Sequence, residues 1–369
     1  MSAAIVSALG QPGNSEFELS VFGAGVGEAL AIHLGDGEWI LVDSCRDQLS
    51  KTSAACAYLQ AIGVPPNAVS TIVATHWHED HVGKIDDLIK EYPSAKLVIP
   101  KAFESDQFIR MILAGAEPET LGSDALQTSR SFKAALTAAK TTSTKIGIAT
   151  CNYLIRRKSV NAIGEIELHA ISPSDRAISL ALLDFDKFND ADLKKRRRPV
   201  AINPNHAAIA IWLKWGSRRV LLGSDLEISP DPLIGWKSAI TSQILNGETI
   251  KASLVKAAHH GSINGHDSNF WAAHVRADTI LLTTHSSSNL PRETDVGRLK
   301  ALTDEVYCAP LPIAKPAKQN RLLVDQSAAQ QIKFTPRSKR RFGHIRIRMS
   351  PAGQISKSIY QQAGKIVNS

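Results

Sequence analysis

The sequence predicts an α/β protein, on three observations. Short apolar, β-branched runs alternate with amphipathic stretches of helical period. Several of those runs stop at a histidine or an aspartate, as at Val42-Asp43, Ala74-Thr75-His76, Gly223-Ser224-Asp225 and Ala258-His259-His260. No internal repeat and no long low-complexity linker interrupts the 369 residues, which points to a single elaborated domain over 1–369.

The densest stretch is Thr75-His76-Trp77-His78-Glu79-Asp80-His81, directly after Thr71-Ile72-Val73-Ala74. On an extended segment His76 and His78 point to the same side, because strand side chains alternate. Val82, Ile85, Leu88 and Ile89 then fall on one helical face, so Asp80 and His81 sit in a first helical turn, where the helix dipole favours a carboxylate. Two neutral imidazoles from a strand end, joined by a carboxylate and an imidazole from a helix start, suit a borderline metal such as zinc or manganese, one ion or two. The plainer alternative is a solvated polar loop that happens to hold three histidines.

Composition sets the outer bounds. Hydrophobic content of 43% and charged content of 21% are those of an ordinary globular protein. No apolar run reaches the length of a membrane-spanning helix, and Met1 to Asn14 lacks the charge and apolar pattern of a signal peptide. Cys45, Cys56, Cys151 and Cys308 show no pairing rhythm and fit reduced, packed thiols, so a cytoplasmic protein without membrane contact is expected. The net charge of +8 and pI near 9.3 favour polyanionic partners, nucleic acid or another phosphate-bearing molecule. Basic residues gather at Arg156-Arg157-Lys158, at Lys194 through Arg198 and at Arg337 through Arg341, and Arg346 and Arg348 alternate with Ile345 and Ile347. These clusters form either a phosphate-tracking surface or solvated loop charge.

In chain order, Phe17 to Phe22 alternates like a strand and enters the run Gly23-Ala24-Gly25-Val26-Gly27-Glu28. This run leads into another strand, Ala29 to Leu34, so the glycines make a hairpin and not a dinucleotide-binding turn. Trp39 to Val42 is a strand ending in Asp43, a buried carboxylate that needs a partner, with the histidine loop as the candidate. Ser50 to Ile62 is helical, and Ala95 to Pro100 is a strand. The span 103–145 reads as a helical insertion, Ile163 to Ile171 as a strand, and 176–200 as a charged, flexible loop. Asn203-Pro204-Asn205-His206 precedes a strand from Ala207 to Trp212. Further strands run from Arg219 to Leu222, from Ile250 to Ala258 and from Ala277 to Thr284, then a helix over 292–304 and a strand at Glu305 to Cys308. His33, His169, His266, His274 and His344 stand singly, as packed or solvated residues. His285, beside three serines, is either site wall or surface.

The H-x-H-x-D-H stretch with a downstream histidine, aspartate and histidine resembles the metallo-β-lactamase superfamily. More narrowly, the Gly-rich hairpin, Leu41-Val42-Asp43 and His259-His260-Gly261-Ser262 resemble the metallohydrolase domain of the ComEC/Rec2 DNA-uptake proteins, over about Glu18 to Arg348. The resemblance implies an αββα sandwich, two mixed β-sheets flanked by helices, with two divalent metal ions at one edge. It places one ion on His76, His78 and His206 and the other on Asp80, His81 and His260, with Asp225 bridging and His259 facing substrate, or with His259 and His260 exchanged. Asp43 orients the histidine loop, and the family's late histidine is replaced by Arg292 or moved to His285. None of these 369 residues is expected to form the membrane channel of the DNA-uptake proteins, so the resemblance does not carry their cellular role over.

The implied chemistry is hydrolysis by metal-activated water, with Asp80 or Asp225 taking its proton and His259 stabilising charge. A nuclease or other phosphodiesterase is the leading expectation. The rivals are a hydrolase of a small ester, amide, thioester or cyclic nucleotide, and a metal-stabilised binding module in a larger complex. Serine catalysis lacks a Gly-x-Ser-x-Gly elbow, and structural zinc lacks its cysteines.

Overall fold

The computed structural model describes residues 10–47, 51–115, 123–186, 203–312 and 341–366, the side chains of 114–115 and 123–127 excepted. Strand β1 (Phe17–Gly23) turns back into β2 (Glu28–Gly35), and β3 (Glu38–Val42) completes an antiparallel meander. Every residue of β1 and β2 is buried, so their apolar runs are nearly continuous and do not strictly alternate. From β3 onward the first sheet grows by parallel steps. Helix α1 (Ala54–Ala61) leads to β4 (Val69–Val73), and α2 (Glu79–Val82) with α3 (Ile85–Glu91) leads to β5 (Lys96–Pro100). Helices α4 (Asp106–Gly115) and α5 (Ser123–Thr141) lead to β6 (Ile146–Ala149).

The second sheet repeats the plan. Antiparallel β7 (Leu154–Val160), β8 (Gly164–Ala170), β9 (Ile211–Trp215) and β10 (Arg218–Leu222) are followed by parallel β11 (Ala252–Lys256), β12 (Val275–Thr283) and β13 (Val306–Ala309). Helix α6 (Asp175–Asp186) precedes β9, α7 (Trp236–Ala239) precedes β11, α8 (Ser268–His274) precedes β12 and α9 (Glu293–Lys300) precedes β13. Strands β14 (Gly343–Met349) and β15 (Ile355–Gln361) return to the first sheet beside β1, and β16 (Gly364–Lys365) pairs with β13. The strand orders are β15-β14-β1-β2-β3-β4-β5-β6 and β16-β13-β12-β11-β10-β9-β8-β7.

Three apolar layers hold this together. Leu19, Val21, Leu30 and Ile32 of one sheet meet Ile166, Leu168, Leu213 and Val220 of the other. Outside the first sheet, Tyr58, Leu88, Ile89, Phe108 and Phe132 cover Leu41 and Ile72; outside the second, Trp236, Phe270 and Leu299 cover Trp212, Leu221 and Val255. Full burial of each such side chain contributes roughly 1.5–3 kcal/mol. The result is the expected αββα sandwich.

Several local expectations are corrected. The single helix expected after His81 is two, because Lys84 leaves helical geometry at φ −147° between α2 and α3. The strand expected from Ala207 starts at Ile211, since Pro204–Ala207 forms a 3-10 turn whose Asn203 side chain accepts from Asn205 N at 3.0 Å. The charged loop expected from Arg176 begins as α6, whose Ala177, Ile178, Ala181 and Phe185 are buried at helical spacing. Lys194 to Arg198, and Arg337 to Arg340, lie outside the described residues. The basic run Arg156-Arg157-Lys158 lies on β7, with Arg156 bidentate on Glu38 at 2.6 and 3.0 Å, Arg157 on Glu167 at 2.5 Å and Lys158 on Gly35 O at 2.8 Å. Among the described residues no helix is long and apolar enough to cross a membrane.

Candidate metal centre

The chemistry-bearing side chains sit where parallel strands of both sheets end, the position that open α/β sheets use for ligands. Asp43 follows β3 and His76 follows β4; Asp225 follows β10, His259 and His260 follow β11, and His285 follows β12. Backbone bonds stitch these ends together: Asp43 N to Val73 O at 2.8 Å, Ser44 N to His81 O at 2.6 Å, Ile209 N to Thr75 O at 3.0 Å and His259 N to Ser224 O at 2.8 Å. Asp43, Ser224, His259 and His260 all adopt positive φ, between 47° and 58°, a cost that the surrounding structure must impose and that clusters at functional sites. Gly27, at φ +110°, lets the first hairpin approach; a Cβ there would stand 3.0 Å from Asp80 O and from Cys45 Cβ.

Three histidines are tied back by their Nδ1 atoms. His81 Nδ1 donates to Asp43 Oδ2 at 2.7 Å. Thr75 Oγ1 donates to the same Asp43 oxygen at 2.7 Å, so it accepts from His76 Nδ1 at 3.1 Å. Thr283 Oγ1 donates to Glu28 Oε2 at 2.6 Å, so it accepts from His260 Nδ1 at 3.0 Å. This network puts a proton on each Nδ1 and turns the three Nε2 atoms toward the centre. They converge on two carboxylates. Asp225 Oδ1 is 3.5 Å from His81 Nε2, while its Oδ2 is 3.8 Å from His76 Nε2 and 4.0 Å from His260 Nε2. Asp80 Oδ2 is 3.4 Å from His260 Nε2, 3.6 Å from His81 Nε2 and 3.7 Å from His285 Nε2. His78 Nδ1 lies 3.1 Å from His76 Nε2.

Electrostatics point the same way. Burial, reinforced by the neighbouring His81 and His78, holds His76 well below its ordinary pKa, and burial lowers His78, so both stay neutral. Burial also opposes charge on His81, yet Asp225, Asp80 and Asp43 outweigh it and raise His81 well above its ordinary value. The carboxylates at the centre therefore demand a cation. His81 Nε2, His260 Nε2 and Asp225 Oδ1 are buried with no hydrogen-bond partner, an arrangement that costs about 1–3 kcal/mol for each neutral group unless something binds there. Imidazole nitrogens and carboxylate oxygens in this convergence fit a divalent ion of the zinc class.

Of the residues expected from the sequence, His76, His78 and Asp225 form one group whose ligand atoms lie within 4.8 Å of one another. Asp80, His81 and His260 close around the other side of Asp225. His206 is in neither group; it lies on the 3-10 turn before β9. His259 lies beside the centre with Nδ1 3.0 Å from Glu227 Oε1. His285 is part of the wall, and Asp43 holds the histidine loop as expected. Glu28, Lys256 and Thr283 were missed. Their signal was a glutamate and a lysine placed in otherwise apolar strands, Glu28-Ala29-Leu30 and Leu254-Val255-Lys256.

An αββα sandwich with histidines and aspartates meeting at its strand ends is the scaffold of a metal-dependent hydrolase. This chain matches the family model described as metallo-beta-lactamase superfamily over residues 23–116. It is similar to ComE operon protein 3 of Bacillus subtilis (strain 168), 22% identical over 206 residues, which is 56% of this chain and 18% of that protein. The chain thus spans under a fifth of that relative's length. Among solved structures, the metallo-beta-lactamase fold protein YhfI from Bacillus subtilis is 16% identical and aligns over 79% of this chain and 95% of that chain, with a TM-score of 0.38.

Proposed function

We propose that this chain is a metal-dependent phosphodiesterase acting on nucleic acid. The observation that carries the metal chemistry is the triple tie-back of His76, His81 and His260, which turns three Nε2 atoms toward Asp225 and Asp80. His76, His78 and Asp225 would hold one ion, Asp80, His81 and His260 a second, with Asp225 shared. When bound, the ions supply an activated water and neutralise charge on the attacked group.

The chain's own residues supply the rest. Asp80 and Asp225 line the centre and can accept a proton there. For His259, burial opposes charge, but Glu227 at 3.0 Å and nearby Asp225 raise its pKa above the ordinary value. A protonated His259 beside the centre can donate to a departing alkoxide, the step a phosphodiester needs most. The phosphoester reading rests on this pair and on the likeness of His259-His260-Gly261-Ser262 to the DNA-uptake metallohydrolases. The basic balance of the chain supports it less directly, since Arg156 and Arg157 face carboxylates.

End-labelled single- and double-stranded DNA and RNA, incubated with Mn²⁺ or Zn²⁺, test the proposal against Asp225→Ala. Cleavage by the wild type alone is expected. A wild type that binds its metal and cuts none of the four polymers overturns the nuclease reading and leaves a small ester, amide or thioester as substrate.

A further inference from the structure

Behind His260, on the side away from Asp80 and Asp225, lies a buried polar chain. Lys256 is fully buried, and its Nζ donates to Glu28 Oε2 at 2.6 Å and to Ala257 O at 3.2 Å. The same Glu28 oxygen accepts from Thr283 Oγ1 at 2.6 Å, and Thr283 accepts from His260 Nδ1 at 3.0 Å. Glu28 is 1% exposed and Thr283 0%, so no water competes for these bonds. An ion pair so deeply buried is a poor source of stability, because desolvation offsets most of its attraction; its presence asks for another reason.

We propose that Glu28 and Thr283, anchored by Lys256, are positioning residues that fix His260 as its Nδ1–H tautomer and aim its Nε2 into the metal centre. Glu28 with His81 and His260 also has the spacing of a metal-ligand group in its own right. The bonds decide between the roles. Glu28 Oε2 already receives two short hydrogen bonds, one from an ammonium, and its approach to His260 is to Nδ1, at 3.7 Å. The Lys256 ammonium at 2.6 Å and the Thr283 hydroxyl at 2.6 Å both donate to this oxygen, which makes the carboxylate an acceptor in the chain. Thr283 is the only described group bonded to both Glu28 and His260, and its hydroxyl is polarised by the carboxylate, which makes it a stronger acceptor for the imidazole N–H.

Asp43 plays the same part for His81, so each of these two carboxylates orients one histidine of the second ion's group. Asp43 acts directly, and Glu28 acts through a hydroxyl.

The inference rests on His260 being a metal ligand, and the test separates the two. Zinc stoichiometry and affinity are measured by competition with a chromophoric chelator for the wild type, Thr283→Val, Thr283→Ser and His260→Ala, alongside thermal melting of each metal-free protein. Thr283→Val is expected to lower the affinity of one zinc by about 10–100-fold, with Thr283→Ser restoring it, as for other residues that orient a metal-binding histidine. His260→Ala is expected to lose that zinc. If His260→Ala keeps full stoichiometry and affinity, the ligand assignment fails. If it loses zinc while Thr283→Val binds as the wild type does, or if Thr283→Ser is as weak as Thr283→Val, the positioning role is overturned.

Discussion

The Asp43 carboxylate receives the Nδ1–H of His81 at 2.7 Å while its other oxygen receives Thr75 N at 2.7 Å. One side chain at the end of β3 thereby fixes both the backbone entry to the histidine loop and the orientation of its last histidine. Replacing Asp43 by Asn keeps the shape but puts an N–H where one of these donors points. Zinc affinity is expected to fall about 10–100-fold, while the fold survives. Chelator competition with circular dichroism checks this; unaltered zinc binding in Asp43→Asn would remove Asp43 from any role at the centre.

Gly27 is the second lever on the same loop. Its φ of +110° and the 3.0 Å approach of Asp80 O leave no room for a side chain. Gly27→Ala is expected to cost about 1–3 kcal/mol in urea unfolding, and to weaken zinc binding by displacing Asp80. Full stability with full zinc affinity would contradict the close packing of the hairpin on that loop.

The candidate centre was largely legible because its histidines and aspartates are concentrated: six residues carry three histidines and an aspartate, and buried strands run into Asp225 and His260. Groups whose meaning lies in long-range pairing escaped. Glu28 and Lys256 are 228 positions apart, and nothing local shows that they bond. Around His206 turn chemistry outweighs the strand pattern: Pro204 and the Asn203 cap favour a 3-10 turn, so the strand begins at Ile211 and not at Ala207. The helical face of α6 was hidden by charge around it, although Ala177, Ile178, Ala181 and Phe185 keep the period.

The Arg156-Arg157-Lys158 run shows how charge counting overreaches. Arg156 and Lys158 both face Glu38, and Arg157 faces Glu165 and Glu167. These cations are already neutralised, so few counterions are left for a polyanion to release. The slope of log affinity against log salt for single-stranded DNA is expected to be the same in Arg156→Ala/Arg157→Ala as in the wild type. A slope smaller by about 0.7 for each arginine would instead make β7 a phosphate-contacting strand.

His33 makes stability depend on acid in a way that is separable from the metal centre. Its Nδ1 donates to Glu16 O at 2.7 Å, and its Nε2 accepts from Gly37 N at 3.1 Å, so the neutral ring clamps the turn between β2 and β3. A second proton would abolish the acceptor. Burial is the main cause that pushes this imidazole from 6.5 down to about 4, with the Glu16 carbonyl opposing. As pH falls, the unfolded chain therefore takes the proton first. Stability is full above about pH 6.5 and is withdrawn between 6.5 and 4, by about 2 kcal/mol at pH 5 for this residue alone. Urea unfolding of the wild type and His33→Asn at pH 7 and pH 5 reads the difference: Asn cannot titrate, so the variant should start less stable and lose about 2 kcal/mol less on acidification. Equal losses in the two proteins would mean that the clamp tolerates a protonated ring.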